Sequence, residues 1–149
     1  MTLTIQQLRQ KWNAEEAAYR QVEVGSGTQK FVKHVLLAEQ LFALKEGLLT
    51  TSLEKRHLEF VEEPGKKGRH ADVVIYASPE TVIPVEVERH GNIKAGIVQL
   101  LQYQADWDKK YGILTDGFEW RFYNNNIYRS FFLDDILAEP ETFLAFWHE

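Results

Sequence analysis

The chain has 149 residues, with 17 Lys and Arg against 22 Asp and Glu, so its formal net charge is −5. A hydrophobic content of 44% and a charged content of 26% are typical of a packed globular domain and exclude a disordered or low-complexity chain. The absence of cysteine excludes disulfide frameworks, thiolate zinc sites and cysteine nucleophiles. No signal-peptide core or apolar run of membrane-spanning length is present, so we expect a cytoplasmic protein without membrane association.

The negative charge is concentrated in the second half of the chain. Residues 1–75 carry 11 basic and 10 acidic side chains, whereas residues 76–149 carry 6 and 12. A domain that binds nucleic acid unaided usually has a basic excess, because neutralisation of phosphates supplies most of the non-specific affinity. Carboxylates that hold metal ions for nucleic-acid chemistry remain compatible with this charge.

Two helices are predicted in the first third of the chain. Residues 3–19 place Leu8, Trp12 and Tyr19 near one face, which predicts an N-terminal packing helix within residues 1–25. Thr28 is the expected N-cap of a longer helix over residues 28–46, which Gly47 would stop. Its wide apolar stripe indicates burial between layers.

A sheet with further helices follows. Period-two runs predict strands from His57 to the Pro64-Gly65 turn, over 71–77, 81–88, 112–115, 118–123 and 127–133. Asp116-Gly117 is the strongest hairpin signal. Helical spacing over 92–108 predicts a helix across the sheet, and short helical pieces are expected around Pro140 within residues 134–149. We therefore expect one α/β domain, a sandwich whose central mixed sheet is flanked by helices.

Three acidic residues lie in or beside apolar, strand-forming runs: Asp72, Glu86 and Glu88. Side chains alternate along a strand, so Glu86 and Glu88 project to one face while Val85 and Val87 project to the other. If the strand after Asp72 pairs with this one, the Asp72 carboxylate comes within bridging distance. Three clustered carboxylates repel one another unless a cation or a proton neutralises them.

Clustered carboxylate oxygens suit Mg²⁺, with Mn²⁺ as its substitute, and phosphodiester hydrolysis is the natural chemistry of such a site. A plainer interpretation is that Glu86 and Glu88 form the solvent face of an amphipathic strand and that Asp72 is an acid at a strand start. The spacing of these residues leaves both interpretations open.

Longer motifs carry a family resemblance that spans residues 28–133. They are ADVVIY at 71–76, IPVEVE at 83–88, Gln99 with Tyr103, and YGILTDGFEWRFY at 111–123. In this order they resemble the PD-(D/E)xK nuclease superfamily, and most of all the N-terminal nuclease domains of type IIG and type I restriction-modification enzymes. The resemblance implies a restriction-endonuclease-like αβββαβ core and a Mg²⁺-dependent DNA endonuclease.

The resemblance also assigns roles to individual residues. Asp72 matches the metal-binding acid that opens the motif, and Glu86 matches the acid of its second half. Gln99 and Tyr103 match the QxxxY signature of the RecB-like branch, in which the helix after the catalytic strand borders the site. Helix residues such as Gln29 could add a further polar group.

The motif departs from the family at Glu88, where a lysine is expected. Lysine there would orient or deprotonate the attacking water, and glutamate cannot donate in that way. We interpret the site as D…ExE, with Glu88 as metal ligand or base. The alternative is a catalytically inactive nuclease-like module that binds DNA or serves assembly.

Partners follow from the same resemblance. In such enzymes the nuclease works with a separate methyltransferase and target-recognition region or subunit, and DNA is the substrate. The basic turn of Lys66, Lys67 and Arg69 could contact the DNA backbone, or could be a solvated hairpin turn. The sequence leaves open whether the chain forms a homodimer.

Overall fold

A computed structural model describes residues 3–19, 25–39, 41–47, 58–62, 72–77, 81–97, 100–101, 111–124 and 127–147. Within these ranges the helices are α1 (Ile5–Tyr19), α2 (Gly25–Leu37), α3 (Leu133–Ala138) and α4 (Pro140–Trp147). A 3-10 turn spans Ile93–Gly96. The strands are β1 (Lys45–Glu46), β2 (Glu59–Glu62), β3 (Val73–Tyr76), β4 (Val82–Val87), β5 (Tyr111–Thr115), β6 (Glu119–Asn124) and β7 (Ile127–Phe132). None of the described helices is long and apolar enough to cross a membrane.

The strands form one seven-stranded sheet in the order β1-β2-β3-β4-β5-β6-β7. The pairs β1/β2 and β4/β5 are parallel, and the other neighbours are antiparallel. Strands β2, β3 and β4 therefore form the predicted meander, and the expectation of an α/β protein with a mixed sheet is confirmed.

The two faces of the sheet differ in what covers them. Val85 pairs with Ile113 in the main hydrophobic core, which also contains Leu8 of α1, Phe31 of α2 and Phe143 of α4. We call this side the helix face. Because side chains alternate along a strand, the next paired residues, Glu86 and Leu114, project to the opposite side, which we call the acid face.

A smaller apolar cluster covers part of the acid face. It consists of Leu114 and Tyr123 from the sheet with Ile93 and Leu100 from the segment after β4, and Ile97 packs against it. Residues 92–108 were predicted to cross the sheet as a helix. The described part of that segment begins as the 3-10 turn, and residues 102–110 lie outside the described residues.

The predicted second helix is wrong at both ends. Helix α2 begins at Gly25 and ends at Leu37, so Thr28 is not an N-cap, and its buried hydroxyl donates to the Tyr19 carbonyl at 3.2 Å. Beyond Leu37 the chain reverses: Ala43 has φ +52°, and Leu44 N donates to Leu36 O at 2.9 Å. The apolar residues at 38–44 are mostly buried, but outside any helix.

The hairpin predicted at Asp116-Gly117 is present between β5 and β6. Gly117 has φ +91°, a conformation that favours glycine. One carboxylate oxygen of Asp116, Oδ1, accepts hydrogen bonds from Phe118 N at 3.0 Å and Glu119 N at 2.8 Å. Since the turn chemistry is local, the sequence was sufficient to predict this element.

Candidate functional site

Asp72 and Glu86 lie opposite each other at the end of the β3/β4 ladder. The register pairs Val73 with Val85, so the next residues outward are Asp72, just before β3, and Glu86 in β4. Directly opposite residues of an antiparallel pair share one face of the sheet. Val87 N donates to Asp72 Oδ2 at 2.8 Å, which ties the Asp72 side chain to the neighbouring strand.

Glu86 is a buried carboxyl group, with only 5% of the residue exposed. No described residue offers a hydrogen bond to its buried Oε2 atom. The pKa of Glu86 is raised to about 9. Burial is the largest cause, followed by the charge of Asp72, a hydrogen bond with the Asp72 side chain and the charge of Glu88. Without a cation, the Asp72–Glu86 pair therefore holds one proton at neutral pH.

Glu88 follows β4 directly and is partly buried. Its backbone N donates to Thr115 O at 2.9 Å, which prolongs the pairing of β4 with β5. Burial raises the pKa of the Glu88 carboxyl, the charge of Asp72 adds to the rise, and Arg89 opposes it. Glu88 thus lies within the electrostatic reach of the pair.

The loop after Glu88 is held by hydrogen bonds from two directions. His90 N donates to Tyr19 O, at the end of α1, at 3.0 Å. Gly91 N donates to Asp116 Oδ2 at 3.0 Å. Sequence reasoning identified Asp116 as a turn residue and missed this second contact, because it joins segments that are 25 residues apart.

The other predicted site residues fall into two groups. Gln29 of α2 donates from Nε2 to the Asp72 carbonyl at 3.5 Å, a long hydrogen bond at the border of the pair. Gln99 and Tyr103 lie outside the described residues, as do Lys66, Lys67 and Arg69.

The fit of the site to a metal ion depends on the carboxylate pair. Among the described residues, no group of three or more His, Asp or Glu side chains is arranged to hold a metal ion. Mg²⁺ commonly takes one or two protein carboxylates and keeps water for its other positions. Two adjacent carboxylates, one with a buried oxygen that has no hydrogen-bond donor among the described residues, fit that requirement.

No protein-family model matches the sequence, and searches of the curated proteins and of the solved structures found no match.

Proposed function

We propose that the chain is a Mg²⁺-dependent DNA endonuclease domain with a restriction-endonuclease-like sandwich, and that it serves as the cleavage domain of a restriction-modification enzyme. One observation carries the proposal: Glu86 is buried beside Asp72, and its Oε2 atom has no donor among the described residues. Burial of a carboxyl group against a second carboxylate costs stability unless a cation or a proton compensates it. Such a cost is commonly retained at functional sites.

Asp72 and Glu86 are the residues proposed to hold Mg²⁺, or Mn²⁺ in its place. When bound, the ion supplies a water of lowered pKa and offsets charge on the phosphate. The hydrogen bond from Val87 N to Asp72 Oδ2 fixes the orientation of one carboxylate. The rigid β3/β4 pairing fixes the spacing of the two.

Glu88 is the proposed base; to serve as a third ligand its carboxylate would have to move, because Asp72, Glu86 and Glu88 are not arranged as a three-residue metal site. The pKa of its carboxyl group is raised, and such a group accepts a proton from water more readily than an ordinary glutamate does. Gln99 and Tyr103 are proposed to border the site from the following segment, as the family resemblance implies.

The net charge of −5 bears on the partner. Such a domain gains little affinity from phosphate neutralisation, so we assign target recognition to a separate methyltransferase and recognition region or subunit. DNA is the proposed substrate of the cleavage site itself.

Calorimetric titration with Mn²⁺ and Mg²⁺, followed by cleavage of supercoiled plasmid, tests the proposal. The parent protein should bind the cation at one site and convert plasmid to nicked or linear DNA only when the cation is present. Glu86→Gln, which is neutral and almost isosteric, should lose both properties. A parent protein that shows neither divalent binding nor cleavage contradicts the proposal.

A second candidate is a nuclease-like module that has lost cleavage. It is favoured by Glu88, which stands where the motif has a lysine. In such a module a proton held by the Asp72–Glu86 pair takes the place of the cation. Under this alternative, the titration shows no specific divalent binding, and DNA binding or assembly is independent of the cation.

A further inference from the structure

Gly96 is the last residue of the 3-10 turn and is buried. A Cβ atom at this position would lie 2.7 Å from Leu114 Cδ1, 2.9 Å from Glu88 Oε1 and 3.0 Å from Glu88 Cγ. Carbon atoms that are not bonded to each other are normally about 3.5–4.0 Å apart. A side chain at residue 96 therefore requires Leu114 or Glu88 to move.

The backbone conformation of Gly96 gives no other reason for glycine. Gly91 and Gly117 have positive φ values of 89° and 91°, which disfavour other residues, and Gly96 does not share this conformation. In a helical conformation glycine is less favourable than alanine. The requirement for glycine at 96 is therefore one of space.

The two neighbours differ in how easily they yield. Leu114 is fully buried and is packed among Ile93, Leu100 and Tyr123. Glu88 is only partly buried, and its own atom nearest to the added carbon, at 2.9 Å, is a carboxylate oxygen at the end of a flexible side chain. A larger residue at 96 thus displaces the Glu88 carboxylate more readily than the core leucine.

We infer that Gly96 is a positioning residue, whose lack of a side chain leaves the space in which the Glu88 carboxylate lies within the electrostatic reach of Asp72 and Glu86. This inference rests on the proposed function, since it assigns Gly96 a role in the chemistry through Glu88. Gly96 itself contacts neither DNA nor a metal ion in this role.

The test compares Gly96→Ala with Gly27→Ala. Gly27 lies in α2, where, among the described residues, an added Cβ meets the Tyr19 ring at 3.3 Å and 3.4 Å and no other side chain. For Gly96→Ala, kcat for plasmid cleavage in Mn²⁺ should fall about 100-fold, the scale of a misplacement of about 1 Å, with KM for DNA unchanged. For Gly27→Ala, both constants should match the parent. A crystal structure of Gly96→Ala should show a displaced Glu88 carboxylate.

The double variant Gly96→Ala/Leu114→Val separates the two neighbours, because it removes the contact with the Leu114 δ-carbons but keeps the contact between the added methyl group at residue 96 and Glu88. Its thermal midpoint should return toward the parent value, while kcat stays low. Recovery of kcat in the double variant overturns the inference, since Gly96 would then act through the packing of Leu114.

The remaining outcomes separate the inference from the proposed function. If the parent cleaves plasmid and Gly96→Ala cleaves it at the same rate, the positioning role is wrong and the proposed function stands. If the parent neither binds Mn²⁺ nor cleaves, the proposed function is wrong and the positioning role fails with it.

Discussion

The helix face and the acid face of the sheet are built from different residues. On the helix face, aromatic rings pack in an almost continuous group: Phe143 lies 5.2 Å from Phe42, 5.4 Å from Phe131 and 5.6 Å from Phe122, between ring centroids. On the acid face, buried charged groups, Glu86 and Arg121, stand beside the apolar Leu114. We conclude that the helix face stabilises the fold through apolar packing, whereas the acid face contains both apolar contacts and ionisable groups.

The two buried ionisable groups of the acid face, Glu86 and Arg121, differ in their surroundings. Arg121 Nε donates to Glu119 Oε2 at 2.6 Å, and its guanidinium lies 4.7 Å from the centroid of the Tyr128 ring. Glu86 has Asp72 and Glu88 as its charged neighbours instead. Arg121 is thus compensated within the fold, whereas Glu86 needs a proton or a cation, and the proposed function rests on this difference.

The largest effect is expected for Glu86→Ala. Plasmid cleavage in Mg²⁺ should fall by about 100-fold or more, because the variant removes one of the two proposed ligands. Thermal stability without metal should stay level or rise, since the repulsion from Asp72 is relieved. Glu141→Ala, at an exposed residue of α4, is the matched control and should cleave as the parent does. Equal cleavage by Glu86→Ala and the parent contradicts the mechanism.

The helix face is tested by Phe143→Ala. Only 1% of Phe143 is exposed, so truncation leaves a cavity among the rings and should lower the free energy of unfolding by about 3–5 kcal/mol. Urea titration measures this loss. The Mn²⁺ affinity of the protein that remains folded should be unchanged, and a parallel loss of both properties would show that the two faces are not separable.

The pH dependence of stability tests the raised pKa of Glu86. A folded-state pKa of about 9 for Glu86, against an ordinary value of 4.5, means that the folded protein binds one proton more than the unfolded chain between these pH values. This group therefore makes stability fall with rising pH in that window, by about 1.4 kcal/mol per pH unit at most. Thermal melts of the parent and Glu86→Gln from pH 5 to pH 9 measure the difference. Equal slopes for the two proteins contradict the assignment.

The smallest effect is expected for the salt dependence of DNA binding. With a net charge of −5, the domain should bind a short duplex weakly, and the slope of log affinity against log salt should be shallow, about −3 for some three phosphate contacts. Measurement in Ca²⁺ allows binding to be followed without turnover. Nanomolar, sequence-selective binding by these 149 residues would show that the chain carries its own recognition surface.

Local signals account for the parts of the fold that were predicted correctly. Strands β3 and β4 are rich in β-branched residues, and β6 carries aromatic residues instead. The β5/β6 hairpin carries Asp116-Gly117, and α4 begins at Pro140, where the fixed φ of proline suits a first helical residue. The end of α2 was not predictable in this way. The apolar residues at 38–44 have helical spacing, but their burial is satisfied by a reversal of the chain at Ala43 instead.

The sequence by itself determined that Glu86 projects to the side of its strand opposite Val85 and Val87, because the two-residue period is a property of any strand. Glu88, predicted to continue this pattern, lies one residue beyond β4. Only the tertiary structure decided that Asp72 lies opposite Glu86 and that Gly96 packs against Glu88. Both contacts depend on strand register and on the path of the segment after β4, which distant residues set. The hydrogen bonds from His90 N to Tyr19 O and from Gly91 N to Asp116 Oδ2 fix that path, and no local pattern in the sequence encodes them.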